Sequence, residues 1–231
     1  MQWENQATPE WPTEISNVES KREIARRLAD RAAGGQVIGI GSGSTSFLAL
    51  LALADRVHSD GLTITCVPTS VEIESYCAAL GLPVTTLLAA RPDWCFDGAD
   101  EVDPEHNMIK GRGGAFVREQ FVFAAARSRV ILVDESKFVP RLGINHQVPL
   151  AVAPEAANLV RESLRNTLGV EPSVRPAGGK DGGVINESGS LVMDLPIDGS
   201  KSPAELQRIL LGTVGVSATG LFVGYEFEII G

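Results

Sequence analysis

The sequence contains no apolar run near the roughly 18 residues that a membrane-spanning helix needs, so no membrane association is expected. Basic charge is scarce: 20 Lys and Arg stand against 29 Asp and Glu, for a formal net charge of −9. That balance argues against nucleic acid as a partner, because phosphate backbones are held by clustered cations. The only cysteines, Cys66, Cys77 and Cys95, are odd in number, far apart and set in apolar contexts. This excludes a disulfide framework and a CxxC metal knuckle, and points to a reducing cytoplasm. His58, His106 and His146 form no His-x-x-His or His-x-x-x-His pair, so no histidine-ligated metal is expected. The opening MQWENQATPEWPTE has neither a basic n-region nor an apolar h-region, and a secretory signal is not expected there.

What is present is an ordinary globular composition, 44% hydrophobic and 21% charged over 231 residues. That length suits a main domain with a smaller companion. Residues 1–15 read as a flexible tail. A helix is expected from Ser16, capped by Ser16 or Asn17 and stopped by Gly34-Gly35. Strands are expected at 36–40, 62–67, 83–88, 94–96 and 130–133, with helices at 47–58, after Pro68-Thr-Ser70 to Gly81, and at 114–126 between them. Such alternation implies an α/β fold: a Rossmann-like, mostly parallel sheet with helices on both faces. After about 142 the pattern changes. Strands at 148–152, 174, 184–185, 191–193 and 214–222, with helices at 154–168 and 203–211, resemble a β-α-β-β-α-β split unit. The expected organisation is a tail at 1–15, a catalytic Rossmann-like domain at 16–143 and 220–231, and a small α+β, ferredoxin-like domain at 144–219.

The segment Gly39-Ile-Gly41-Ser42-Gly43-Ser44-Thr45-Ser46 separates a strand from an apolar helix. Amide groups at a helix start, together with serine and threonine hydroxyls, suit a small anion. A tight turn with Ser44 or Thr45 as helix cap is the plainer alternative. A dinucleotide fingerprint needs Gly or Ala where Ser44 stands and an acid after the second strand, where Val67-Pro68 stand. A Walker loop needs a lysine that is missing.

Phe96–Gln120 gathers Asp97, Asp100, Glu101, Asp103, Lys110 and the glycines Gly111, Gly113 and Gly114 between a strand and a helix. Loops at the C-terminal ends of parallel strands are where such folds bind ligands. The acids do not follow calcium-loop spacing, and capping by Asp is the plain alternative reading. Glu119 is the informative residue. On a helix over 114–126 its neighbours three and four positions away are Ala115, Phe116, Val122 and Phe123, all apolar. A carboxylate placed there is desolvated, which raises its proton affinity toward that of a general base. Lys110 is placed to meet a forming oxyanion, and the glycines let a ligand approach the backbone. An anion cradle, a carboxylate base, an ammonium group and an Asp pair suit proton transfer beside the carbonyl of a small phosphorylated sugar. Neither metal nor organic cofactor is called for.

In order and spacing, GIGSGSTS (39–46), FDGADEVD (96–103), IKGRGGAFVRE (109–119), VDESK (133–137) and GLFVG (220–224) resemble the A-type ribose-5-phosphate isomerases. The resemblance implies interconversion of D-ribose 5-phosphate and D-ribulose 5-phosphate in the pentose phosphate pathway, without cofactor, by a homodimer or homotetramer. It implies Glu119 as the proton acceptor, Asp97 as the acid for ring opening and the O1 and O2 protons, and Lys110 as the group that stabilises enediolate charge. It implies that Ser42, Gly43, Ser44 and Thr45 hold substrate, with phosphate contacts. Asp97, Gly98, Ala99, Asp100, Lys110, Gly111, Arg112 and Gly113 are implied to line the sugar, with Lys137 and Lys21 as further binding lysines. Arg112 stands where the family often has glycine. Two other readings remain: a non-catalytic sugar-phosphate sensor on the same fold, and a deaminase of amino-sugar phosphates, whose chemistry usually wants a histidine.

Overall fold

The structure is a computed structural model and describes residues 9–231. The chain divides into two compact units. The first takes the chain up to Gly98 with Arg118–Glu135 and Phe227–Gly231; the second takes Ala99–Val117 and Ser136–Glu226. This compactness groups 99–117 with the later part of the chain, whereas the change of pattern near 142 groups it with the earlier part. Of the expected tail, 1–8 lie outside the described residues. Residues 9–15 are docked: Trp11 stacks on Phe47 at 5.4 Å, and Tyr76 Oη donates to the Glu10 carbonyl at 3.0 Å.

The first unit holds a five-stranded parallel sheet. Its strands are β1 (Gln36–Ile40), β2 (Ile64–Pro68), β3 (Trp94–Gly98), β6 (Ser128–Leu132) and β12 (Glu228–Ile230), in the order β12-β6-β3-β1-β2. Side chains alternate between faces. Ile38, Ile40, Trp94, Phe96, Val130 and Leu132 share one core with helices α1 (Val18–Ala29), α2 (Ser44–Asp60) and α3 (Val71–Ala79). On the opposite face a Cβ at Gly39 would lie 2.5 Å from Cγ1 of Val122, on helix α4 (Phe116–Ala125), and 2.6 Å from Cβ of Cys95. Only glycine lets that helix settle so close.

Several expectations are corrected here. Helix α1 is preceded by Asn17 in a left-handed conformation, φ 52°, with no side-chain cap bond. Helix α2 begins three residues earlier than expected, so Ser44, Thr45 and Ser46 form its first turn and Gly43, φ 92°, takes the cap position. The strand expected at 83–88 reduces to a single bridge between Val84 and Cys66, because the chain turns at 86–90.

The second unit contains an antiparallel sheet of β7 (Val148–Val152), β8 (Ser173–Val174), β9 (Leu191–Leu195) and β10 (Val216–Thr219), ordered β10-β7-β9-β8. With α5 (Ala157–Leu168) and α6 (Pro203–Leu211) it forms the split β-α-β-β-α-β, ferredoxin-like arrangement. Its core joins Val148, Leu150, Val152, Met193 and Leu195 to Val160 and Leu164 of α5 and Leu206 and Leu210 of α6. The single strand expected at 214–222 is two strands in two sheets. β10 pairs with β7, whereas β11 (Leu221–Phe222) pairs with β5 (Met108–Ile109), which pairs with β4 (Glu101–Val102). The chain changes sheet at Gly220, where a Cβ would meet the Lys110 carbonyl and lie 2.5 Å from Cδ of Pro149. The acidic stretch after β3 is thus an ordered hairpin rather than an open loop.

Candidate active site

In the first unit the strand order reverses between β1 and β3, and the crevice beyond their carboxyl ends is the usual ligand position in an open parallel sheet. Asp97 stands at the end of β3, 3% exposed, and its Oδ1 accepts from the Gly98 amide at 2.8 Å and from the buried Ser46 hydroxyl at 3.5 Å. The neighbouring strand end is Gly41, where a Cβ would lie 2.5 Å from Cγ of Asp97. Beyond it the half-buried Ser42, Gly43, Ser44 and Thr45 lead into α2, and no side chain caps the helix start. The amides of that first turn have no acceptor within the helix, which leaves the arrangement suited to an anion. The Ser42 and Thr69 hydroxyls lie 2.7 Å apart, and Thr69 Oγ1 donates to the Ile40 carbonyl at 3.0 Å. Lys21 comes from α1 to the same turn: its Nζ donates to the hydroxyls of Ser44 at 3.3 Å and Ser16 at 3.4 Å, with the residue 7% exposed.

Glu119 lies in the first turn of α4. The residue is 5% exposed and its Oε2 is closed off from solvent; Phe116, Val122 and Phe123 around it on the helix are buried. The desolvation that helical spacing implies is therefore present.

In the second unit the four acids of the stretch separate by task. Glu101 is fully buried, and its carboxylate accepts from the amides of Gly143, Asn145 and His146 at 2.6, 2.5 and 2.8 Å. Asp103 accepts from the Asn107 amide at 2.7 Å and from its side chain. Both are structural. Asp100 is half-buried and accepts from the Arg112 amide at 3.0 Å, tying the acidic strand end to the glycine turn. Gly98 belongs to the first unit and Ala99 opens the second; both are half-buried. Lys110 is 3% exposed, its amide donates to the Gly220 carbonyl at 2.9 Å, and its Nζ lies 5.5 Å from the centre of the Phe222 ring. Gly111 is buried with φ 100°, while Arg112 and Gly113 are exposed. Lys137 is half-buried in a 3-10 turn, next to Phe138, which bridges to Val102.

Three residues beside these were not singled out from the sequence. Ser46 belongs to the serine-rich motif, and its burial beneath Asp97 was not readable without the earlier start of α2. Thr69 follows β2, next to a proline that draws the eye to a turn. Arg175, some sixty residues from the glycine turn, carries no local signal at all.

A family model described as ribose 5-phosphate isomerase A (phosphoriboisomerase A) matches residues 65–230. Ribose-5-phosphate isomerase A of a Synechococcus species is 43% identical over 206 residues, 88% of either chain. Among solved structures, ribose 5-phosphate isomerase A from Methanocaldococcus jannaschii superposes with a TM-score of 0.89 at 32% identity, covering 94% of this chain and 96% of that one. A D-ribose-5-phosphate isomerase in complex with phospho-erythronic acid gives 0.84 at 31% identity, covering 90% and 91%.

Proposed function

This chain belongs to the ribose 5-phosphate isomerase A family, and from that premise we propose that it interconverts D-ribose 5-phosphate and D-ribulose 5-phosphate through an enediolate. The observation that carries the chemistry is Glu119, a carboxylate 5% exposed among apolar side chains. A carboxylate so placed is poorly hydrated, the setting in which a general base acts on a bound substrate.

In the open-chain aldose, Glu119 removes the proton from C2, and the electron pair shifts to make the C1–C2 double bond of the enediolate. The same carboxyl group returns the proton to C1, giving the ketose. Asp97 serves the proton exchange between O1 and O2, for which its position at a strand end suits it. Lys110 stabilises the oxyanion as charge forms. The phosphate is assigned to the first turn of α2, with Ser42, Gly43, Ser44, Thr45 and Lys21. Asp100, Gly111, Arg112, Gly113, Gly98, Ala99 and Lys137 complete the proposed substrate contacts. The related isomerase's complex with phospho-erythronic acid supports this reading: a carboxylate on a phosphorylated four-carbon chain resembles a planar enediolate. The proposed groups supply base, acid and electrophile themselves, so no metal or organic cofactor is assigned.

Assembly as a homodimer or homotetramer and a cytoplasmic location are proposed from the family resemblance; light scattering of the purified protein tests the first. No helix among the described residues is long and apolar enough to cross a membrane. The function is tested by following ketose formation from ribose 5-phosphate by absorbance, with and without EDTA. Turnover unaffected by EDTA is expected. Absence of ribulose 5-phosphate formation overturns the assignment, and loss of rate that zinc or magnesium restores overturns its cofactor-free form.

A further inference from the structure

We propose that Arg175 is a positioning residue for the isomerase reaction, holding the backbone of the glycine turn that follows Lys110; the inference rests on the isomerase reading above. Its Nη1 donates to the carbonyls of Gly111 at 2.9 Å and Arg112 at 2.8 Å. The other edge of the guanidinium is gripped by Asp194, with Nε donating to Oδ2 at 2.8 Å and Nη2 to Oδ1. Both side chains of the pair are mostly buried, at 17% and 19% exposure. A two-point hold on a partly buried guanidinium fixes its plane as well as its charge.

The platform beneath it is rigid. Arg175 directly follows β8, its amide donates to Val192 at 3.0 Å, and its carbonyl accepts from Val184 at 2.9 Å. Asp194 lies on β9, opposite Ser173. The turn it holds is also tied by Lys110 N to Gly220 O, Arg112 N to Asp100 Oδ2, and Gly114 N to Gly111 O. Gly111 sits at φ 100°, in the left-handed region, and is followed by two further glycines within three residues, so the segment has little stiffness of its own. Arg175 supplies that stiffness by occupying two consecutive carbonyls. Without it the turn carrying Lys110 samples other conformations, and the ammonium loses its fixed aim. A misplacement of about 1 Å lowers a rate by up to about 10²-fold.

The test uses Arg175→Met in the full chain, with Arg165→Ala as the control, since Arg165 pairs with exposed Glu171 at the surface. Arg175→Met is expected to lower kcat by about 10–10²-fold with a smaller change in KM. In Arg175→Ala, which vacates the space between Asp194 and the two carbonyls, added guanidinium ion is expected to restore part of the rate. Trypsin supplies a readout independent of activity. Arg112 and Gly113 are exposed, and the carbonyl of the cleavable bond is one of those Arg175 holds. Cleavage after Arg112 should therefore rise at least several-fold in Arg175→Met and stay at the wild-type rate in Arg165→Ala. If Arg175→Met does not fold, Asp194→Asn loosens the same guanidinium and is expected to give the same pair of changes. Wild-type kcat and cleavage rate in the folded variant overturn the proposal. So does a loss of rate without increased cleavage. If the wild-type protein has no isomerase activity the functional reading fails, while the cleavage rates still decide whether Arg175 holds the turn.

Discussion

The carboxylate of Asp97 fills the space that any side chain on Gly41 would require: a Cβ there would lie 2.5 Å from Asp97 Cγ. Gly41 directly follows β1 and Asp97 lies near the end of the neighbouring β3, so the acid is aimed by the absence of an atom beside it.

Gly41→Ala is accordingly expected to push Asp97 out of line. Turnover should fall by about 10²-fold, and stability by about 1–3 kcal/mol from overpacking. Gly34→Ala is the comparison, since nothing lies within 4 Å of a Cβ there and its φ is not in the left-handed region. Steady-state rates and urea midpoints of the two variants decide the matter; equal activity would show that Asp97 can shift without consequence.

Glu119→Gln keeps the shape of the side chain and removes the base. Turnover should drop by roughly 10²–10⁴-fold while the melting curve stays near that of the parent. Retained activity in this variant would take Glu119 out of the mechanism.

Glu101→Ala should damage folding rather than chemistry. Three backbone amides donate to that fully buried carboxylate, and each buried donor left without an acceptor costs about 1–3 kcal/mol. A loss of about 3 kcal/mol or more is expected from urea denaturation. Glu105→Ala, an exposed neighbour, should change stability by no more than about 0.5 kcal/mol. Similar midpoints for the two would refute the structural role of Glu101.

The three thiols are all buried, so none should react with an aromatic disulfide reagent at pH 8 until the protein is denatured, when all three react. The Cys77 thiol is pushed up from the ordinary 9.0, chiefly by its hydrogen bond with Cys66 and then by burial. A raised value in the folded state means that the unfolded chain releases a proton the folded chain keeps. The stability this confers is complete below about pH 9 and declines as pH rises further. In Cys77→Ala the fall of the urea midpoint between pH 9 and 10.5 should be shallower; an unchanged slope would argue against the Cys77 contribution.

Much of this protein is legible in residue order, because the decisive signals are local. Short apolar runs and helical spacing locate β1, β7 and α6 to the residue, and the burial of Glu119 follows from its apolar neighbours along one helix. Other features needed the folded chain. The strand expected at 83–88 has suitable residues, but it meets β2 only around Val84, through the Pro83 carbonyl and the Thr85 amide to Cys66. Gly43 displaces Ser44 and Thr45 as helix cap because its φ of 92° starts the helix earlier. The division of labour among Asp97, Asp100, Glu101 and Asp103 depends on amides from 98, 112, 107, 143, 145 and 146, most of which the acids' own positions do not indicate.

The sequence by itself determined the family, the alternation of strands and helices, and which acid is surrounded by apolar side chains, since each depends on spacing within a few turns of chain. Tertiary structure alone decided which strand ends adjoin, why Gly41 must be bare beside Asp97, and that Arg175 reaches the carbonyls of Gly111 and Arg112. Those are relations between residues dozens of positions apart. Strand pairing and side-chain length set such distances, and no pattern along the chain encodes them.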